Sequence, residues 1–147
     1  MYNDQPPDGH SMNSYAHSKG ALAFGSSNGF WMVSSVSEFP ALVSKGYEYK
    51  PPQLKFGQII LCVTLAKSMK SIIKSVFQTT NPYIYDSKGF TFNSGNSTTY
   101  EKRFKTEGNV PLTVFAKSAN FGKGKYNLNN DVQIQYMKLS NFTFMNW

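Results

Sequence analysis

Apolar residues gather in short runs along this 147-residue chain, separated by polar stretches rich in Gly and Pro. Residues 1–16 contain Pro6-Pro7-Asp8-Gly9 and then Ser, Asn and Tyr, without an apolar period, and read as loop. Gly20–Phe24 and Phe30–Val36 read as two strands. The intervening Gly25-Ser26-Ser27-Asn28-Gly29 predicts the turn of a hairpin, because Asn-Gly tolerates the positive φ such turns need. Residues 37–56, broken by Pro40, Gly46, Pro51 and Pro52, read as loop again. From Gln58 to Leu65 the apolar run is continuous and of strand length, which predicts a buried central strand. Lys67 to Gln78 then changes to a helical period. Ile72, Ile73, Val76 and Phe77 share one face and Lys67, Lys70 and Lys74 another, with Pro82 as the stop.

Residues 86–109, rich in Ser, Asn, Thr, Gly and charge, read as a surface excursion, and residues 111–117 as a strand. Residues 120–130 form a Gly/Asn/Lys loop, after which Val132, Ile134 and Tyr136 alternate with Gln133 and Gln135 to give a final strand. No internal repeat is present. The predicted order β-β-β-α-β-β defines an α/β (α+β) layered fold with a mixed sheet and few helices, and the length fits one domain over residues 1–147.

Composition adds little about the fold but narrows the partners. Lys and Arg number 15 against 8 acids, a net charge of +7, which favours anionic partners such as nucleic acid or acidic lipid and is equally consistent with a solvated basic surface. The single cysteine, Cys62, cannot form an internal disulfide, and within Ile59–Val63 it reads as a small buried hydrophobe. One Cys and two His, His10 and His17, give no metal-ligand spacing, so no metal or cofactor is expected. The polar run Met1–Pro7 lacks the basic and apolar regions of a signal peptide. No run approaches the ~18 apolar residues of a membrane span, so no membrane partner is expected.

His17-Ser18-Lys19 is the sharpest candidate for chemistry. In extended chain, residues two apart point to one face, so the imidazole and ammonium would converge on one anion. The His could then attack phosphorus or protonate a leaving oxygen, and the Lys could neutralise non-bridging oxygens. Three residues alone are a common pattern. His10 reads as a solvated loop residue, the Lys67/Lys70/Lys74 stripe as a solvated helix face, and Trp31 and Phe30 as core.

Longer strings give the motif a context. Tyr2-Asn3-Asp4-Gln5-Pro6-Pro7, His17-Ser18-Lys19-Gly20, Gly29-Phe30-Trp31-Met32-Val33, Ser35-Val36 and Phe39-Pro40 follow one another in order. Phe56-Gly57-Gln58, Leu61-Cys62-Val63, Phe115-Ala116-Lys117-Ser118, Phe121-Gly122 and Tyr126 continue the series. In identity, order and spacing these resemble the middle portion of the deoxyribonuclease II family. The resemblance implies one half of a phospholipase D-like fold, in which two α/β halves each give one His-x-Lys to a shared site. It implies a metal-independent acid endonuclease acting on DNA through a phosphohistidine and leaving 3′-phosphates, in a lysosomal or secreted protein. His17 and Lys19 would be the catalytic imidazole and its phosphate ligand.

The same comparison implies departures. A second His-x-Lys and the segment bearing a partner for Cys62 are missing, Ser34 stands where the family carries His, and Lys123-Gly124-Lys125 replaces an acidic pair. The sequons at Asn96 and Asn141 matter only if the chain is secreted. Three readings follow: an endonuclease completed by a homodimer that pairs two His17 half-sites, a catalytically inactive family member that at most binds nucleic acid, or a truncated fragment.

Overall fold

The computed structural model describes residues 1–121 in full, together with the backbone of residues 135–139 and 142–146. Among the described residues, two four-stranded antiparallel sheets and one α-helix make up the fold, with short 3-10 turns between them. The first sheet has the order β1 (Tyr2–Asn3), β2 (Lys19–Phe24), β3 (Asn28–Ser34), β4 (Ile60–Ala66). Helix α1 (Lys70–Thr80) follows, and the second sheet runs β5 (Thr99–Lys105), β6 (Pro111–Lys117), β7 (Gln135–Leu139), β8 (Phe142–Asn146). The layered α+β class is as the sequence predicts, but every described ladder is antiparallel where a mixed sheet was expected.

The hairpin, the 111–117 strand and the helix are where the sequence pattern puts them, with bounds shifted by a few residues. Residues 67–69 form a 3-10 turn ahead of α1, and Asn81, in the left-handed region at φ 54, closes it. Four expectations change. Residues 1–16 contain β1. The 86–109 excursion contains β5, whose Glu101, Lys102, Arg103 and Lys105 disguise an edge strand as solvated chain. The last strand occupies residues 135–139, and β8 follows it; residues 122–134, including Lys123-Gly124-Lys125 and Val132, lie outside the described residues, as does Asn141. The fourth change concerns the apolar run at Ile60–Ala66. It is the edge strand of its sheet, with Val63 and Leu65 buried and Ile60, Cys62 and Thr64 exposed on the outer face. A run apolar on both faces reads as central even when one face stays open. Cys62 is therefore an exposed thiol, not a buried one. Phe30, on that outer face, is 39% exposed, while Trp31 beside it is fully buried.

One core joins the parts. Trp31, Val33, Val63 and Leu65 of the first sheet meet Ile73, Val76 and Phe77 of α1, and Leu112, Val114 and Ala116 of β6. Phe77 sits edge-to-face with Tyr2, Phe90 and Phe92 at centroid distances of 4.9, 5.6 and 5.6 Å. Each such pair contributes about 0.5–1.5 kcal/mol beyond the area it buries. The helix thus presents its apolar stripe inward and leaves Lys67, Lys70 and Lys74 exposed, with the Lys70 ammonium 5.7 Å from the Phe90 ring centre.

Tyr2 belongs to this core, 1% exposed, and its hydroxyl accepts a hydrogen bond from Trp31 Nε1 at 3.0 Å. Its ring reaches Trp31 by crossing Gly20, its β2 neighbour. A Cβ on Gly20 would stand 2.0 Å from the Met32 carbonyl oxygen and 2.6 Å from the Tyr2 hydroxyl, so no side chain fits. Gly20→Ala is expected to cost about 1–3 kcal/mol or more, the range of an overpacked core. Urea unfolding reads it; an unchanged midpoint would contradict this account of how β1 is seated.

Candidate active site

Seating Tyr2 places the next two residues. The Asn3 side chain donates to the carbonyls of Val36 and Phe39 at 3.2 and 3.0 Å. Its Oδ1 accepts from Gln5 N at 2.8 Å, and its backbone N–H donates to Tyr83 O at 3.0 Å. The Gln5 carbonyl accepts from Glu38 N at 2.8 Å, and its side chain meets the Ser37 hydroxyl. Asp4 is thereby clamped between the 34–41 segment and the chain after α1, with its own carbonyl accepting from Met12 N at 2.7 Å.

The Asp4 carboxylate is the centre of the site. Its Oδ2 lies 2.5 Å from His17 Nδ1 and its Oδ1 accepts from Lys19 Nζ at 2.6 Å. The His-x-Lys pair does converge on an anion, and that anion is this internal carboxylate. Lys19 begins β2 with its side chain 2% exposed, Asp4 is 10% exposed, and His17 keeps 44% exposure. Burial pushes the Asp4 carboxyl up, but the hydrogen bond from His17, the charge and hydrogen bond of Lys19 and the charge of His17 together outweigh it. The net result lies below the ordinary carboxylate value.

A carboxylate at Nδ1 assigns the imidazole tautomer. Ionised Asp4 can only accept, so Nδ1 carries the proton and Nε2, on the far side of the ring, holds the lone pair. An imidazole oriented in this way by a buried carboxylate is a nucleophile or base set in one direction. The stability that this pairing adds is fully present above pH ~3.8, the reference value. It is lost as pH falls through the lower folded value, because protonation then removes the charge that Lys19 and His17 hold. Asp4→Asn is expected to lack that part of the acid limb in a stability profile between pH 5 and 2; an unchanged limb would place the titrating group elsewhere.

Other candidates stand apart from this centre. His10, 78% exposed at its side chain, lies 3.7 Å from Asp8 and is a solvated loop residue as expected. Ser34 pairs with Lys19 across the β2–β3 ladder, is 2% exposed, and spends its hydroxyl accepting from Val36 N at 3.0 Å. Among the described residues no group of three His, Cys, Asp or Glu is placed to hold a metal ion. Among the described residues no helix is long and apolar enough to cross a membrane. Sequence reasoning passed over Asp4. The signal for it was a carboxylate in the Tyr2–Pro7 string of a chain whose His-x-Lys needs an orienting group.

Residues 1–141 match the family model described as Deoxyribonuclease II. Among similar proteins are Plancitoxin-1 of Acanthaster planci, 40% identical over 89 residues, and Deoxyribonuclease-2-alpha of Rattus norvegicus, 40% identical over 92. Deoxyribonuclease-2-beta of Homo sapiens is 33% identical over 86 residues. These alignments cover 59%, 60% and 58% of this chain, and only 25%, 26% and 24% of the respective relatives.

Proposed function

The chain belongs to the deoxyribonuclease II family, and from that premise we propose that it provides one half-site of a nuclease that cleaves DNA phosphodiesters without a metal ion, with His17 as nucleophile. The observation that carries this reading is the 2.5 Å contact between Asp4 Oδ2 and His17 Nδ1, which leaves Nε2 as the attacking atom. Nε2 attacks phosphorus, a P–N bond forms and the P–O5′ bond breaks. The 5′ oxygen takes a proton from a second acid. Water then attacks the phosphohistidine, the P–N bond breaks, and the product strand ends in a 3′-phosphate.

Each residue has a part in this scheme. Asp4 holds the tautomer and stabilises the ring as positive charge develops on attack. Lys19 acts on His17 through Asp4: its ammonium is buried against that carboxylate, which keeps Asp4 ionised. This makes Lys19 a positioning residue where the sequence suggested a direct phosphate ligand. The second acid is a further imidazole, which a second copy of this chain supplies by bringing another His17 across a two-fold axis. An acidic lysosomal or secretory compartment fits, since Asp4, held below the ordinary carboxylate value, keeps its charge there. In such a compartment the exposed Asn96 is open to glycosylation.

The test is direct. The chain incubated with plasmid DNA at pH 5 in excess chelator is expected to nick it and leave 3′-phosphate ends. Intact plasmid would sink the catalytic reading and leave a family member that at most binds nucleic acid. Cleavage per chain that does not rise with chain concentration would rule against the two-copy arrangement.

A further inference from the structure

Tyr2, which seats the Asp4 arm, also lines a cleft of about 260 Å³ that the hydrolytic scheme does not use. Leu22 and Phe24 of β2, Phe77 of α1, and Ile84 and Phe90 beyond α1 give it apolar walls. Leu22, Phe24, Ile84 and Phe90 pack on the core yet stay only partly buried, so core surface is left open to solvent here. Phe77 meets Phe90 at 84° and Tyr2 at 68°. Rings set at steep angles offer both a face and an edge, the two surfaces against which a further ring packs best. The Ser87 hydroxyl, also in the lining, already donates to Phe90 O at 2.8 Å.

Two cations join these walls. Lys70 and Lys88 both line the cleft, and both are exposed. The Lys70 ammonium is 5.7 Å from the Phe90 ring centre, which holds it over that wall. Among the described residues neither lysine is in an ion pair. Asp86 adds one carboxylate to the lining, so the two ammoniums outnumber it.

We propose that this cleft binds a small aromatic anion, with one or two rings lying among the Phe and Tyr side chains and one carboxylate or sulfonate meeting Lys70 and Lys88. The volume falls just below the ~300 Å³ at which ordinary ligand pockets begin, which suits a fused pair of rings better than a long acyl chain. A wholly apolar guest would leave both ammoniums unanswered. A nucleobase would press its polar edge against apolar walls, at a cost in lost hydrogen bonds. The site stands apart from the nuclease reading, because neither lysine has a part in the hydrolytic scheme.

Titration of the chain with naphthoate, followed on methyl resonances by NMR, tests the assignment. The methyls of Leu22, Ile84 and Val43, all in the lining, are expected to shift and saturate together. The Ile60 methyls, on the open outer face of β4, should stay in place. Naphthamide, neutral and of the same shape, is expected to bind on the order of tenfold more weakly, the loss of one charge-assisted contact. Lys70→Glu should weaken naphthoate by at least as much while leaving naphthamide and the urea midpoint unchanged. Lys88→Glu repeats the test where Lys70→Glu disturbs the Phe90 wall. Equal affinity for naphthoate and naphthamide overturns the anion assignment, and tighter binding of decanoate than of naphthoate overturns the aromatic one. Shifts at Ile60 as large as those at Leu22 overturn the site. Binding is read without catalysis, so each of these results leaves the nuclease reading in place.

Discussion

Asp4→Ala is expected to destabilise the chain by about 3–5 kcal/mol, the cost of removing one partner from a buried ion pair. The reason lies in Lys19, which is 2% exposed and is held by Asp4 at 2.6 Å. Without the carboxylate its ammonium stays in the protein without that counter-charge, and the desolvation it suffers is no longer offset. Urea unfolding at pH 7 measures the loss. The variant Asp4→Asn, which keeps the shape, is expected to lie between native and Asp4→Ala in stability, because an amide oxygen still accepts from Lys19. If both variants unfold at the native urea midpoint, Lys19 is not dependent on Asp4 and its assignment as a positioning residue fails.

His17→Ala has the opposite profile, a small effect on stability and a large one on rate. The side chain is 44% exposed, so its loss is expected to change stability by less than about 1 kcal/mol. On the proposed scheme, cleavage at pH 5 should fall on the order of 10³-fold or more, because the atom assigned to attack phosphorus is gone. Retained cleavage in the folded variant would remove His17 from the chemistry. Measured together, the two substitutions separate the group proposed to react from the group that holds it, since only Asp4→Ala should lower the unfolding free energy by several kcal/mol.

Parts of this arrangement could be read along the chain, and the reasons differ by element. The β2–β3 hairpin was legible from the polar break at Gly25-Ser26-Ser27 between two apolar runs, although Asn28-Gly29 begins β3 without positive φ and is not the turn itself, and α1 was legible from its one-sided apolar stripe. β5 was hidden because its outer-face residues are charged, and charge at a sheet edge looks like loop. The position of β4 was misread because apolar residues fill both of its faces, and no single-strand pattern says which face is covered. Phe30 and Cys62 follow from that same ambiguity. At the site, His17 and Lys19 were legible as a pair two residues apart. Asp4 was not, since its distance from His17 in sequence carries no periodic signal and depends on Gly20 admitting the Tyr2 ring.

That dependence gives the half-site a thermodynamic character. The arm at residues 2–5 is held to segments far along the chain, through Asn3 to Tyr83 and through Asn3 to Val36 and Phe39. Opening of this short arm withdraws the carboxylate from His17, and with it goes Tyr2, which packs against Phe77 and accepts from Trp31 Nε1. It also removes the counter-charge from buried Lys19. The orienting contact at His17 is therefore tied to the seating of β1 in the first sheet and to the core beneath it. On the proposed scheme, heat or denaturant should silence the reaction together with the loss of that sheet.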